Sequence, residues 1–462
     1  MNRIVNGRFL VCAALLLGVT QLLVAQTESA PREITLEEAV ELAIASSSGL
    51  EAGRAAVDAR SAVRSQARTG RLPSVDFEAS YMRVKEQDPA TIPLPDPPQG
   101  PGPVTLGESF ENSYAATLSV RQPLFTGGEI TSQIDAAGYA VAAGRGSYDW
   151  ERSGLELEVR TAYWALVEAE LRVQAIEERL RQVELNLRNM ESRLANGVVT
   201  RNEVLTVEMK LAEARLQLLR ARNGRELAST RLALLTGVSP DRGLAPTTQL
   251  HSGAADGGGA GTPLSENTPE LDSLIRDALA NRGDLAELRA DLNAARASQT
   301  AARAGWFPKL FLAGEYSYSR PNQASFPAED EFESSWRVGI VGRIELGNMP
   351  RVYHETSQRE AELAAVAARL EAAEDRVRLS VREAYLSWQS SARELELAET
   401  MVRQAKENLE DTRVRVENGV ALNEDLLEAQ ATLLDARLAF TSARTGQRIG
   451  WDRLMRETGR TP

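Results

Sequence analysis

Cysteine, histidine and aromatic residues are scarce in this sequence of 462 residues. Its single cysteine is Cys12, its only histidines are His251 and His354, and aromatic residues make up 5% of the chain. No cysteines or histidines have the spacing of a metal site, and there is no nucleophile motif and no phosphate-binding glycine loop. These absences argue against an enzyme, and they predict a chain with no catalytic residue, no metal and no cofactor.

The charge pattern excludes two further classes of protein. Charged residues make up 26% of the chain, which is far too polar for a bundle of transmembrane helices. The formal net charge is −12, whereas a nucleic-acid-binding protein needs a cationic surface. The remaining composition is rich in alanine, leucine, glutamate and arginine, which favours long helices.

The one long apolar run lies at the N-terminus and is typical of a secretory signal peptide. Arg3 and Arg8 precede an apolar stretch over residues 9–24, and small residues end it at Ala25. We predict a signal peptide over residues 1–25; the alternative is a membrane anchor, for which the run is short. Cleavage would remove Cys12, leaving no disulfide, lipid or thiol chemistry, and would change the formal charge from −12 to −14 by removing two arginines.

The sequence contains the same turn twice. "RLANGVVTRNEVL" at 193–205 and "RVENGVALNEDLL" at 415–427 are 222 residues apart, and the same offset aligns Tyr163 with Tyr385. An offset of 235 aligns Pro73 with Pro308 in the segments before the turns. The 13 extra residues in the first half are explained by "DPATIPLPDPPQGPGP" at 88–103, which we interpret as an exposed loop because proline disrupts helices and central strands.

The repeat predicts two halves with one plan. After the signal peptide, the first repeat covers 26–242, with a helix, a strand pair at 73–124 and a helical hairpin at 129–236. Residues 243–268 form a linker or equatorial segment. The second repeat covers 269–462, with a helix, a strand pair at 307–346 and a hairpin at 351–457.

Leucine and other apolar residues recur every seven positions in both predicted hairpins. Such heptads indicate helices that wind around each other in a coiled coil. The helix from about 129 to 195 would be about 100 Å long, and the glycine of each Asn-Gly turn would end a long helix. The heptad positions are Leu166, Val173, Leu180, Leu187 and Leu194 in the first half, and Trp388, Leu395, Val402, Leu409 and Val416 in the second.

The four predicted strands alternate between apolar and polar residues, and each has about the length of a membrane β-strand. Val75, Phe77 and Tyr81, for example, alternate with Asp76 and Glu78. Four strands cannot close around a channel, so membrane insertion would require an oligomer, and three chains would supply twelve strands. The alternative is that the strands form soluble hairpins packed on the helices.

In this order of elements the sequence resembles the outer membrane factor family of the TolC type. The resemblance rests on "ITLEEAVELAIASSSGLEAGRAAVDAR", "TGRLPSVDFEASY", "VRQPLFTGGEI" and the two Asn-Gly-Val turns. It implies a mainly α fold with a β-barrel: a long coiled-coil α-helical tube in the periplasm, and a 12-stranded outer-membrane barrel built by a homotrimer. The implied function is the exit duct of a tripartite efflux or type I secretion system. The implied partners are a periplasmic adaptor, an inner-membrane transporter and outer membrane lipid.

The resemblance also implies roles for residues near the two turns. Asp425 and Glu428, with Glu203 in the first half, match acidic positions that ring the periplasmic pore entrance. The alternative is that these are first-turn acids favoured by the helix dipole. Val416 and Ala421 replace an aromatic and a basic residue that latch the entrance in some relatives, so a different closing network is expected here.

The turn residues themselves would form tips that dock the adaptor. The alternative for these positions is ordinary capping of an Asn-Gly turn, and both can hold together. The rival to the whole interpretation is a soluble periplasmic coiled-coil adaptor or scaffold, but an adaptor has one hairpin, whereas this sequence predicts two. The predicted docking residues are Arg193, Leu194, Gly197, Val198, Arg415, Gly419 and Val420.

Overall fold

The computed structural model of the chain describes residues 32–85, 90–92, 104–106, 110–248, 270–321 and 329–460. Helices dominate it, and two of them are very long. The helices are α1 (Leu36–Ser46), α2 (Ser48–Thr69), α3 (Glu129–Ala195), α4 (Arg201–Thr236), α5 (Leu271–Asn281), α6 (Gly283–Arg303), α7 (Met349–Glu417) and α8 (Asn423–Glu457).

The strands form one large sheet and two small ones. The four longest strands make an antiparallel sheet in the order β2-β5-β7-β8, while β1 pairs with β6 and β3 with β4. The strands are β1 (Arg32–Ile34), β2 (Ser74–Arg83), β3 (Ala90–Ile92), β4 (Val104–Leu106), β5 (Asn112–Phe125), β6 (Leu244–Pro246), β7 (Lys309–Arg320) and β8 (Glu333–Arg343). The predicted fold class, a mainly helical chain with four main strands, is confirmed.

The heptad residues bury the seams of two antiparallel hairpins, α3–α4 and α7–α8. Leu166, Val173 and Val183 on α3 are buried, as is Trp388 on α7. A side chain that returns to the partner helix every seven residues keeps two helices in contact over their whole length. At 1.5 Å per residue, the 67 residues of α3 span about 100 Å.

The two hairpins lie side by side because α8 packs on α3. Leu427 of α8 joins a buried cluster with Met190 and Val204, and Leu434 joins another with Ile176 and Leu218. The four helices of the two hairpins therefore form one layer, in the order α4, α3, α8, α7. Nearer the main sheet, α2 and α6 pack against α3, and α6 also packs against α7.

Helices α3 and α6 approach closely where two glycines face each other. A Cβ atom on Gly146 would lie 2.7 Å from the backbone nitrogen of Glu287, and one on Gly283 would lie 2.6 Å from the carbonyl oxygen of Gly146. Both distances are well inside ordinary contact. Only glycine therefore allows the two helix backbones to pack this tightly.

The start of the described chain is tied to the segment after α4. Strand β1 pairs in parallel with β6, with Ile34 opposite Pro246. The hydroxyl of the buried Tyr163 on α3 lies 2.7 Å from Thr248 Oγ1 and donates to the Ile34 carbonyl at 3.4 Å. The segment predicted as a linker or equatorial region thus contributes a strand at its beginning.

The main sheet is amphipathic, and its apolar face is uncovered in the single chain. Val75, Phe77 and Tyr81 share one face with Trp336 and Ile340, as the alternation predicts. Phe77 is 71% exposed and Trp336 75% exposed, so these strands do not pack on the helices. The alternative of soluble hairpins packed on the helices is therefore wrong for these strands.

One prediction requires correction, and others lie outside the described residues. The proline-rich stretch at 88–103 is not only a loop, since Ala90–Ile92 pairs antiparallel with Val104–Leu106. Backbone pairing is possible there because the three residues of β3 contain no proline. The predicted signal peptide with Cys12, the rest of the proline-rich stretch, and residues 249–268 with His251 lie outside the described residues.

Within the described residues, no helix combines the length and the apolar character that a membrane crossing requires.

Candidate functional site: the hairpin tips

Both helical hairpins end in the same turn. The Asn196 and Asn418 side-chain amides donate to the carbonyls of Ser192 and Val414, both at 2.8 Å. The next residue in each turn, Gly197 or Gly419, has φ of 70°, a left-handed conformation that favours glycine. The Asn-Gly pair therefore closes both long helices in the same way.

The residue after each glycine completes the cap and leaves an apolar side chain in solvent. The Val198 amide donates to the Arg193 carbonyl at 2.9 Å, and the Val420 amide donates to the Arg415 carbonyl at 2.8 Å. The valine side chains are 69% and 77% exposed. The capping alternative is thus realised in the backbone, while the valines present an apolar point at each tip.

The other predicted docking residues differ in their surroundings. Leu194 is half-buried against the cluster that contains Met190 and Val204. Arg193 is exposed, and Arg415 is exposed while its Nε lies 3.1 Å from a carboxylate oxygen of Asp411. Leu194 therefore supports the turn from inside, and the arginines lie on its surface.

Glu203 begins the return helix of the first hairpin as a capping residue. Its carboxylate accepts from the Thr200 amide at 2.6 Å and from the Thr200 hydroxyl at 2.9 Å. The Thr200 amide, followed by its hydroxyl, lowers the pKa of Glu203. Because the folded pKa is lowered, this stabilisation is present above the unfolded pKa and is lost as the pH falls through the folded pKa.

Asp425 occupies the same place in the second hairpin, but its cap is only half formed. Its carboxylate accepts from the Leu422 amide at 2.8 Å. Leu422 stands where Thr200 stands in the first hairpin, and a leucine side chain cannot accept a hydrogen bond from the helix. Asp425 is exposed and lies in the first turn of α8, so the helix dipole also favours its charge.

Glu428 lies one turn further along α8 and is exposed. Between it and Asp425, Leu427 is buried against the first hairpin, which fixes this turn of α8 beside α3 and α4. The structure therefore holds the backbone that carries Asp425 and Glu428, and it leaves both carboxylates in solvent. Val416 and Ala421, at the latch positions, are half-buried.

Leu422 was not among the residues selected from the sequence. Its side chain is 68% exposed at the second tip, two residues from Val420. Leucine is among the poorest N-cap residues, so its presence where the repeat has threonine is a signal that could have identified it. Leu422 and Val420 together make the second tip more apolar than the first.

Replacing the leucine cap tests its structural role. We expect Leu422→Thr to stabilise the first turn of α8 by about 1 kcal/mol. The threonine hydroxyl can accept a hydrogen bond from the Asp425 backbone amide, as the Thr200 hydroxyl does from the Glu203 backbone amide. Slower amide hydrogen exchange at residues 423–426 would show this. Thr200→Leu should have the opposite effect on α4, and unchanged exchange in both variants would contradict the assignment.

Among the described residues, no group of three or more histidine, cysteine, aspartate or glutamate side chains is arranged to hold a metal ion.

Comparisons with known proteins agree with this architecture. The family profile described as "Outer membrane efflux protein" matches residues 39–238 and 274–460. The alkaline protease secretion protein AprF of Pseudomonas aeruginosa is 26% identical over 355 residues, which cover 74% of this chain and 69% of AprF. The probable efflux pump outer membrane protein TtgC of Pseudomonas putida is 30% identical over 176 residues, covering 37% of this chain and 36% of TtgC.

A solved structure matches over almost the whole chain. The outer membrane protein VceC of Vibrio cholerae superimposes with a TM-score of 0.71 at 19% sequence identity, covering 92% of this chain and 96% of VceC.

Proposed function

The chain belongs to the outer membrane efflux protein family, and from that membership we propose that it works as a homotrimeric exit duct. The family consists of outer membrane channels of efflux and type I secretion systems, and this chain is such a channel rather than an enzyme. The proposal concerns its assembly, its partners and the residues at its entrance.

The observation that carries the trimer is the open main sheet. Within the described residues, β2 and β8 each have a neighbouring strand on one side only, and the uncovered apolar face fits lipid better than water. Free strand edges are not tolerated in a bilayer, so the sheet has to close with other copies. Three copies of four strands supply twelve, which is enough to enclose a channel.

The helical layer supports the same assembly. Its outer helices, α4 and α7, each carry a stripe of large apolar side chains in solvent, and a stripe of this kind marks an interface. Contact between α4 of one copy and α7 of the next would bury both stripes in a ring. The exposed residues are Met209, Leu216, Leu227 and Leu234 on α4, and Leu379, Leu386, Leu397 and Met401 on α7.

The hairpin tips are suited to contact a protein partner at the periplasmic end of the channel. In this proposal the two repeats, 26–242 and 269–462, each contribute one tip per chain, and a periplasmic adaptor contacts them. The supporting features are the exposed Val198 and Val420 and the flanking Arg193 and Arg415. Gly197 and Gly419 give each tip its shape, and Leu194 braces the first.

The acids near the tips are proposed to line the periplasmic entrance. Three copies each of Glu203, Asp425 and Glu428 around a narrow pore would attract cations and repel anions. Glu203 and Asp425 also cap their helices, so substitution by an amide removes the charge while keeping an acceptor oxygen for the cap. Glu428 has no capping role and reports the charge alone.

Transport through the duct is passive in this proposal. An inner-membrane transporter supplies energy and selects the cargo, and the adaptor joins it to the tips. AprF is named for protease secretion and TtgC for efflux, so relatives of this chain are named for both kinds of export. A shared duct with selection in the transporter accounts for that range.

Single-channel recording tests the duct and its entrance together. The purified protein, in a planar bilayer, is expected to give discrete cation-selective openings. Asp425→Asn/Glu428→Gln is expected to lower the cation-to-anion permeability ratio by about threefold or more, because fixed negative charge is lost at the entrance. The matched control is the double variant Glu355→Gln/Glu360→Gln, two exposed acids at the sheet end of α7, which removes the same charge far from the tips and should leave the ratio near that of the wild type.

Unchanged selectivity in the double variant would place the selectivity elsewhere in the duct. Failure of the folded wild-type protein to insert would contradict the duct itself.

A further inference from the structure

The ends of β2 and β8 are shifted relative to each other, because on the side of the helices β5, β7 and β8 all extend past the start of β2, to Phe125, Lys309 and Arg343. Ser74, which begins β2, lies in register with Arg121, Ala313 and Gly339 on the other strands. Strand β8 continues past this row and ends at Arg343. At the other end of the sheet, β8 begins in the row of Ser80, whereas β2 continues to Arg83. Both ends of the sheet are therefore shifted in the same direction.

A tilted barrel requires such a shift. Strands in closed barrels tilt by roughly 35–45° from the axis. Four strands about 4.8 Å apart then descend about 13–19 Å, which at about 3.3 Å per residue is roughly four to six residues. When copies of the sheet close around an axis with level ends, the start of β2 in one copy therefore lies beside the end of β8 in the next. Because β2 and β8 run in opposite directions within one sheet, this pairing is antiparallel.

Over the half of the sheet nearer the helices, the two free edges carry opposite charges on the polar face; the acid of β8 on this face, Glu333, lies at the other end of the sheet. Asp76 and Glu78 lie on this face of β2, and Arg337 and Arg343 lie on the same face of β8. Arg337 already pairs with Glu315 at 2.6 Å. A shift of four residues places Arg343 opposite Ser74 of the next copy, and a shift of six places it opposite Asp76. In both cases the flexible arginine side chain reaches the Asp76 carboxylate.

The surroundings of Arg343 favour an ion pair with an acidic residue of another copy. Its cross-strand neighbour is Lys309, and like charges opposite each other are unfavourable. Lys309 forms a salt bridge with Glu129, and the carboxylate of Glu345 accepts a hydrogen bond from the side-chain amide of Asn348. Neither Asp76 nor Arg343 forms a salt bridge within the described residues. Glu345, two residues from Arg343 in the chain, and Glu129, which pairs with the cross-strand neighbour Lys309, therefore already have partners.

We propose that Arg343 of one copy forms an ion pair with Asp76 of the next across each β8–β2 seam, three times around the channel. The inference rests on the trimer proposed above and adds the register of its seams. The pair lies on the polar face near the end of the sheet that adjoins the helices. It selects one register among those that the edge backbones alone would permit.

Cysteine cross-linking tests the register in the full-length protein. In a Cys12→Ser background, Arg343→Cys is combined in turn with Ser74→Cys, Asp76→Cys and Ser80→Cys, and each sample is oxidised in detergent. Within one chain each of these positions is at least three strand spacings, or about 14 Å, from Arg343, too far for a disulfide. We expect cross-linked dimers and trimers, reversed by reductant, with Ser74→Cys or Asp76→Cys, and about tenfold less with the Ser80→Cys control.

The outcomes separate the register from the trimer. Strong cross-linking only through Ser80→Cys, or none in a protein whose native mass is that of a trimer, overturns the register while the trimer stands. A monomeric native mass with no cross-link in any variant overturns both.

Charge reversal then tests the ion pair itself. Samples are heated to a series of temperatures and then run on a gel without boiling. Asp76→Arg and Arg343→Asp should each lower the temperature at which the trimer band is lost. The double variant should regain at least about half of the loss, since it restores opposite charges. Asp76→Arg combined with Arg337→Asp is the control and should not recover, and equal recovery in both double variants would contradict the pairing.

Discussion

Replacing Arg282 by alanine is expected to lower the free energy of unfolding by about 3 kcal/mol, because it removes the centre of a buried ionic network. The guanidinium donates to both carboxylate oxygens of Asp284, at 3.1 and 2.8 Å, and to Glu457 at 2.5 Å. It also donates to the Ser380 hydroxyl at 3.1 Å and lies 4.3 Å from the centre of the Trp150 ring. Alanine would leave the buried Glu457 with only the neighbouring Arg456 as a cationic partner.

The effect can be measured as a fall in the midpoint of heat-induced loss of helical circular dichroism. Arg282→Lys should also be strongly destabilised, because an ammonium cannot reproduce the two-pronged contact with Asp284. Arg289→Ala is the matched control, since it breaks a more exposed pair with Glu374 and should cost no more than about 1 kcal/mol. Equal midpoints for the Arg282→Ala and Arg289→Ala variants would contradict the assigned role.

Leucine in place of Gly146 should have an effect of similar or larger size. The new side chain would enter the space held by the backbone of α6, at Glu287 and Gly283, and backbone atoms cannot move aside as a flexible side chain can. Overpacking of this kind typically costs 1–3 kcal/mol, and here we expect about 3 kcal/mol or more because α3 and α6 would have to separate. The measurements are the amount of trimer in the membrane and the midpoint of heat-induced loss of helical circular dichroism. Both should fall in the Gly146→Leu variant.

Gly224→Ala is the control for this substitution. Gly224 lies exposed within α4, and a Cβ there would meet nothing within 4 Å. Alanine should therefore stabilise the helix by about 0.5–1 kcal/mol through propensity alone. If the thermal midpoint of the Gly146→Leu variant equalled or exceeded that of the Gly224→Ala variant, the close approach of α3 and α6 would not be required for stability.

Periodicity made the elements predictable, because it records which face of each element is buried. The spacing of Leu166, Val173 and Leu180 specified a helix that packs along its whole length, and the alternation around Phe77 specified a strand with one apolar face. Both patterns are local in sequence. They needed no knowledge of which element lies next to which.

Long-range partnerships were not predictable in the same way. Arg282 resembles any surface arginine in the sequence, and its partner Glu457 is 175 residues away. The pairing of β1 with β6 was missed because each strand has only three residues, too few to show a period. At the tips, the sequence indicated acids but not their hydrogen bonds, and the roles of Glu203, Asp425 and Glu428 at an entrance remain predictions.

Each of the two longest helices, α3 and α7, runs without a break from the main sheet to a hairpin tip. Neither has a proline beyond its first turn, and the two Gly/Ser pairs of α3, Gly146-Ser147 and Ser153-Gly154, lie in the half of the helix nearer the main sheet. Such a rod behaves as a lever. Over about 100 Å, a rotation of one degree at the sheet end displaces the tip by roughly 2 Å. An aperture at the tips could therefore widen by several ångströms through small rotations near Gly146 and Arg282, with every helical hydrogen bond kept.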